Sequence, residues 1–217
     1  MNIIDTRSNI AFSNHKKGII KNIPLFNLKG IEYSASTQKY TDIIFQSIPS
    51  VEFFKEQENL VEKNIYCMGP STKNFLSQKG LESICPDVPG SKELIKLLSQ
   101  NKNHRKYLVV KGEDGLNEVF NYLHKNGEDV QEVICYKRLK LDGYDDIKKD
   151  FSYADAIIFS STYAVEIFFN EIYSNNIKAM LFGISSRIVD HITNLGYEAK
   201  LVDYFSEDFV ESIKATI

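Results

Sequence analysis

Apolar residues gather along this chain in short runs, and most runs are followed by a stretch with helical spacing of its apolar positions. Residues 2–6 (NIIDT), 42–46, 64–68, 106–110, 156–159 and 178–182 read as buried strands. Residues 50–55, 72–79, 92–99, 116–125, 162–170 and 186–194 read as helices, with stops at Gly80, Asn126-Gly127 and Gly196 and caps at Ser91 and, for a last helix, Ser206. Ser8 or Asn9 opens a further short helix that ends near Gly18. Residues 19–26 form another strand, where Pro24 marks an edge or a strand start. Residues 29–37 read as an extended connector, residues 111–115 as a loop, and residues 130–139 as one long extended segment. Strands alternating with helices at this spacing imply parallel α/β sheets.

The pattern is stated twice. Residues 43–54 (IIFQSIPSVEFF) align without a gap on residues 157–168 (IIFSSTYAVEIF), an offset of 114. Gly69 and Gly183 lie at the same offset in YCMGPSTKNF and MLFGISSRIV. A duplicated unit is the reading, and it predicts two α/β domains with a ligand cleft between them, at the C-terminal ends of the strands.

A chain of 217 residues has room for two such domains. A net charge of −3 argues against a nucleic-acid partner. Cys67, Cys85 and Cys135 form an odd, widely spaced set with no CxxC, so neither a disulfide framework nor a metal site is indicated. The start MNIIDTRS lacks a basic region followed by an apolar stretch, and no run reaches membrane-spanning length, so a cytoplasmic location without membrane association is expected. A monomer is expected.

The candidate chemistry sits where strands turn into helices. One copy places Ser47, Ser71 and Thr72 there, and the other Ser160, Ser161, Thr162, Ser185 and Ser186. Such hydroxyls are ordinary N-caps, but four clusters in register on one face also suit an anion-binding cleft. Arg7 and Lys111 follow strands on the same face, and Lys137, Arg138 and Lys140 lie beyond Tyr136. There is no GxGxxG, P-loop, GxSxG or HExxH. His15, His104, His124 and His191 are scattered among polar residues and read as surface groups, and Glu113-Asp114 reads as a solvated loop. The residues by themselves allow a site without metal or cofactor that takes an anion with several charges.

The ordered motifs IIDTR (3–7), IIFQSIPSVEFF (43–54), MGPST (68–72), LVVKGEDG (108–115), VICYKR (133–138), IIFSSTYAVEIFF (157–169) and FGISS (182–186) resemble the uroporphyrinogen-III synthase family over nearly the whole chain. Gln46 stands where the family has Thr, Ile184 where it has Pro, and Ser186 where it has Thr. The resemblance implies two α/β domains joined by a two-stranded connector: 1–32 with 150–217, and 40–130, linked by 33–39 and 131–149. It implies cyclisation of hydroxymethylbilane to uroporphyrinogen III, a lyase reaction that inverts the last pyrrole ring and loses water without cofactor or metal. Hand-over of the substrate from hydroxymethylbilane synthase is a corollary. Tyr136 matches the family tyrosine held to assist hydroxide departure; packing on the hinge is its other reading. Lys111-Gly112 matches the basic-Gly loop. Two alternatives stand beside this reading: a non-catalytic ligand-binding module that kept the duplicated fold, which the FQS and GISS departures favour, and an unrelated α/β enzyme for a phosphorylated substrate.

Overall fold

A computed structural model describes residues 1–8, 19–101, 104–204, 206 and 208–217; the helix expected between Ser8 and Gly18 falls outside the described residues. The strands are β1 (Ile3–Asp5), β2 (Ile20–Asn22), β3 (Phe26–Gly30), β4 (Asp42–Phe45), β5 (Asn64–Cys67), β6 (Lys106–Gly112), β7 (Asp129–Lys140), β8 (Ala156–Phe159), β9 (Met180–Gly183) and β10 (Ala199–Leu201). The helices are α1 (Ile48–Glu52), α2 (Pro70–Gln78), α3 (Ser91–Leu98), α4 (Glu118–Lys125), α5 (Asp145–Ser152), α6 (Thr162–Ile167), α7 (Ser186–Asn194) and α8 (Phe209–Lys214).

The chain divides into two compact units, residues 1–27 with 139–217 and residues 28–138. Each unit holds one sheet, ordered β10-β9-β8-β1-β2 in the first and β3-β7-β6-β4-β5 in the second. Neighbours pair in parallel throughout the first sheet and from β7 to β5 in the second. The division falls inside β3 and β7, so the strands that carry the chain from unit to unit are themselves sheet members. The single strand expected over 19–26 is two: β2 ends at Asn22, β3 begins at Phe26 in the other sheet, and Pro24, which has no N–H to give to a ladder, lies between them in neither.

Both units bury their central strands on two faces, β1 and β8 in the first and β4 and β6 in the second, as parallel sheets require. In the second unit Ile44, Tyr107 and Val109 pack on Leu94 and Leu98 of α3 and on Val119 and Leu123 of α4. In the first, Ile3, Ala156 and Ile158 pack on Val210 and Ile213 of α8. On the opposite face the duplication extends to side-chain geometry. Phe45 meets Phe54 edge-on at 5.5 Å. Phe159 meets Phe168 in the same way at 5.3 Å. These rings occupy aligned positions of the two copies, and such a pair is worth about 0.5–1.5 kcal/mol beyond its burial.

Several expectations are corrected. The strand expected to end at Val110 continues to Gly112, because pairing with β7 continues; Lys111 and Gly112 are strand residues, not loop residues. The Gly69/Gly183 equivalence fails. Asp42 pairs with Asn64, whereas its counterpart Ala156 pairs with Met180. The offset is therefore 114 at β4 and β8 but 116 at β5 and β9, and Gly183 corresponds to Cys67. Gly183 answers a different need: a Cβ there would lie 3.0 Å from Ile188 and Val189, so its absence lets α7 approach β9. The cap of α3 is Gly90 rather than Ser91. The cap of α8 is Asp208, whose N–H donates to Ser206 Oγ at 3.2 Å. The helix expected over 162–170 is α6 followed by a π-helical turn, Phe168–Ile172.

Candidate functional site

In parallel sheets the strand C-termini form one edge, and in the second unit this edge assembles from four strands. From β4 come Gln46 and Ser47; from β5, Gly69 and the α2 turn with Ser71 and Thr72; from β6, Lys111 and Gly112; from β7, Tyr136.

Tyr136 is buried against the ends of β4 and β6 and the residue that follows α1. Its phenolic oxygen lies 3.1 Å from Ser47 Oγ, and either atom is able to donate. Its ring stacks on Phe53 at 5.9 Å. Beneath the ring lies Gly112, where a Cβ would come within 2.5 Å of Tyr136 Cζ and 2.8 Å of its oxygen. Side chains larger than hydrogen are excluded there by the tyrosine itself. The pairing of β6 with β7 slips at this point, Lys111 opposing Ile134 and Gly112 opposing Tyr136, so β7 carries one extra residue, Cys135. A bulge of this kind re-aims the following side chain. The Cys135 thiol sits in the bulge, 3.6 Å from the carbonyls of Ser50 and Lys111, and burial pushes it up to about 12.

Ser47 is the N-cap of α1. Its Oγ accepts from the Ser50 N–H at 3.3 Å, and the Ser50 Oγ accepts from the Ser47 N–H at 3.0 Å. Ser161 repeats the role on α6, accepting from the Ala164 N–H at 3.1 Å. The caps of α2 and α7, Gly69 and Ser185, make no such side-chain bond. Ser71 and Thr72 lie in the first turn of α2, with Thr72 buried; Ser186 opens α7 and is exposed. Gln46, where the family has Thr, donates from Nε2 to the Leu116 carbonyl at 2.7 Å and so ties β4 to the loop after β6.

Lys111 is brought to the edge but faces the other side of the sheet. Its side chain is 4% exposed, with Nζ 2.6 Å from Glu132 Oε1. It also donates to Asn117 Oδ1, just ahead of α4. The Glu132 oxygen lies off the line of a directed hydrogen bond, so the contact is one of charge.

The first unit presents the matching edge. β1 pairs with β8 as β6 pairs with β4: Asp5 opposes Ile158, and Val109 opposes the corresponding Ile44. Arg7 and Lys111, each two residues further on, therefore occupy equivalent positions, and both are buried. The Arg7 guanidinium lies 3.9 Å over the Tyr204 ring. Tyr204 donates its phenolic hydrogen to Asp5 Oδ2 at 2.7 Å, and the Arg7 backbone N–H donates to Asp5 Oδ1 at 3.0 Å. Burial first, and then the Asp5 charge, raise the Tyr204 phenol far above its ordinary range, while Arg7 opposes the shift. Ser160, Ser161 and Thr162 at the end of β8, and Ser185 at the end of β9, are half-buried.

Sequence reasoning found Tyr136, Ser47 and Gly112, and Tyr136 touches both of the others. It missed Phe53, Glu132, Asp5 and Tyr204. Phe53 was within reach of the repeat reading, and Asp5 stood in the IIDTR motif; Glu132 and Tyr204 carry no local signal, and Tyr204 meets Asp5 across 199 residues. Among the described residues no three His, Cys, Asp or Glu side chains come together as a metal site, and no helix is long and apolar enough to cross a membrane.

The comparisons with known proteins agree with this architecture. The family model of uroporphyrinogen-III synthase HemD matches residues 23–211. No curated protein sequence matches significantly. The fold is similar to that of uroporphyrinogen-III synthetase from Helicobacter pylori 26695, with a TM-score of 0.71, 13% identity, and coverage of 99% of this chain and 98% of that one. It is also similar to a mutant uroporphyrinogen III synthase from the extremely thermophilic bacterium Thermus thermophilus, with a TM-score of 0.62, 14% identity, and coverage of 99% and 97%. At such identities the structural likeness speaks for the fold, and the family model, spanning most of the chain, speaks for descent: the chain belongs to the uroporphyrinogen-III synthase family.

Proposed function

We propose that this chain cyclises hydroxymethylbilane to uroporphyrinogen III as a carbon–oxygen lyase, with no metal or cofactor taking part. Family membership makes it an enzyme of porphyrin and haem biosynthesis acting on a small tetrapyrrole. The observation that carries the assignment is the family match across residues 23–211, together with a buried tyrosine held at the strand edge by Ser47 and Gly112.

The substrate carries eight carboxylates, which suits strand ends rich in hydroxyls and backbone N–H groups. Arg7, Ser71, Thr72, Ser160, Ser161, Thr162, Ser185 and Ser186 are the groups proposed to hold them. Tyr136 is proposed to assist departure of the terminal hydroxyl. The C–O bond of the hydroxymethyl group breaks with its electron pair on oxygen, driven by the electron-rich pyrrole. The oxygen takes up a proton and leaves as water. The resulting azafulvene is attacked by the substituted carbon of the last ring to give a spiro intermediate. That intermediate rearranges and closes, and the proton released as the pyrrole regains aromaticity balances the one spent. Holding a flexible chain so that inverting attack beats direct closure supplies the rate advantage.

Lys111 supports this reading less directly, because Glu132 and Asn117 already engage its ammonium. A cytoplasmic setting and substrate hand-over from hydroxymethylbilane synthase are part of the proposal. The test is a coupled assay with freshly made hydroxymethylbilane, followed by oxidation and separation of the isomers. Type III product in proportion to enzyme is expected; type I alone at every enzyme level overturns the assignment.

A further inference from the structure

We propose that Ser47 is a positioning residue that turns the Tyr136 phenolic proton outward, and not one of the carboxylate-binding hydroxyls; this rests on the reading of Tyr136 as the group that assists hydroxide departure. A serine hydroxyl has one hydrogen to give and two lone pairs. One lone pair of Ser47 Oγ is already used by the Ser50 N–H at 3.3 Å. The hydrogen and the other lone pair are left for the phenol at 3.1 Å.

Two arrangements are possible for the Ser47–Tyr136 pair, and only one serves the reaction. If the phenol donates to Ser47, its hydrogen is consumed inside the protein. If Ser47 donates, the phenolic hydrogen is free for an incoming oxygen. The bond from the Ser50 N–H favours the second arrangement, because a hydroxyl that accepts becomes a better donor. The chain then runs in one direction: Ser50 N–H to Ser47, Ser47 O–H to Tyr136, and Tyr136 O–H to the leaving hydroxyl.

The ring has no freedom to escape this contact. Gly112 lies beneath it with no room for a methyl group, and Phe53 stacks on it. Ser47 itself is fixed by the reciprocal cap with Ser50. The phenolic oxygen is therefore held by a rigid turn rather than by a rotating side chain, as a group that must meet one departing oxygen requires.

The experiment measures kcat and KM for uroporphyrinogen III formation in the intact protein and in Ser47→Ala, Ser47→Asp, Ser47→Thr, Tyr136→Phe and the Ser47→Ala/Tyr136→Phe double variant, with thermal unfolding of each as a check on folding. Ser47→Asp keeps an acceptor for the Ser50 N–H but has no hydrogen to donate; Ser47→Thr keeps both. The expectation is that Ser47→Ala and Ser47→Asp lower kcat by about tenfold, less than the roughly 10²–10⁴-fold of a full proton-assisting group because the phenol itself remains, with KM changed by less than about twofold. Ser47→Thr restores kcat to within about threefold of the intact protein, and Ser47→Ala has no further effect once Tyr136 is Phe. A raised KM with kcat kept, or an equal loss in both tyrosine backgrounds, overturns the inference while leaving the role of Tyr136 intact. Unchanged kcat in Tyr136→Phe removes the role of Tyr136, and the inference with it. A fall in kcat with KM kept in Ser47→Asp, its fold intact, against recovery in Ser47→Thr, supports it even where Ser47→Ala fails to fold; a raised KM in Ser47→Asp with kcat kept overturns it.

Discussion

Lys111 offers the sharpest separation of structural from ligand-binding roles. Its Nζ is 2.6 Å from Glu132, with the lysine side chain 4% exposed and the glutamate 24% exposed. At that distance and an effective dielectric of about 20, the attraction is roughly 6 kcal/mol. Removing both charges from water takes back several kcal/mol, so the net worth of the pair is far smaller than its attraction. Breaking the pair from one side is different, since the other charge stays behind. Lys111→Met leaves Glu132 facing the site its counter-charge held, which costs about 3–5 kcal/mol in a fully buried pair. Glu132 retains some water, so the low end, about 3 kcal/mol, is expected. Urea unfolding of the intact protein, Lys111→Met, Glu132→Gln and the double variant measures the loss and the coupling. The coupling should be about 1–3 kcal/mol, with the double variant less destabilised than the two single losses added. The result that refutes the reasoning is a Lys111→Met protein within about 0.5 kcal/mol of the parent. If its KM rises at the same time, Lys111 is a substrate ligand whose pairing with Glu132 is incidental.

The remaining expectations follow from single contacts. Ser161→Ala removes the acceptor for the Ala164 N–H and should cost about 1 kcal/mol in chemical unfolding, with no loss counting against the cap. Tyr204→Phe removes the bond to Asp5 and should cost about 1.5–3 kcal/mol, as for hydrogen bonds to charged groups; a neutral outcome would show that the phenol–Asp5 contact contributes nothing. Burial pushes the thiols of Cys67 and Cys135 from 9.0 up to about 11 and about 12. In the unfolded chain they ionise first, so their contribution to stability is complete below about pH 9 and falls as the pH rises towards 11 and 12, by up to about 1.4 kcal/mol per pH unit per thiol. Urea midpoints should fall from about pH 9 to about pH 10.5 more steeply in the parent than in Cys135→Ala; equal slopes refute the assignment. Iodoacetamide at about pH 8 should label Cys85, the only cysteine of the three that is not buried, before the other two.

The legible part of the site was local. Ser47 and Ser161 were readable because a cap is made within three residues: each lies three positions before the N–H it satisfies. Gly112 was readable as a motif residue but not for its reason, since the ring above it comes from a strand 24 positions later. Lys111 was placed on the right edge and credited with a free charge. Its partner Glu132 gives no periodic or motif signal, and strand pairing alone brings the two together. The repeat shows the same limit. Its first half, 43–54 on 157–168, persists down to the Phe45–Phe54 and Phe159–Phe168 edge contacts. Its second half, Gly69 on Gly183, matched letters and missed the register by two residues, because a glycine pair records a close approach and not a strand alignment.

By itself, then, the sequence determined the alternation of strands and helices, the duplication at β4 and β8, the caps that open α1 and α6, and the family. These depend on neighbours within a turn or two of chain, or on motif order. Only the tertiary structure decided that the N-terminal β1 takes in its unit the place that β6 takes in the other, and hence that Arg7 and Lys111 are counterparts. It also decided that Asp5 and Tyr204 hold Arg7 and that Tyr136 rests on Gly112 against Ser47. Hydrogen-bonded register and side-chain contact across a sheet are set by residues far apart in the chain, and no local pattern encodes which of them meet.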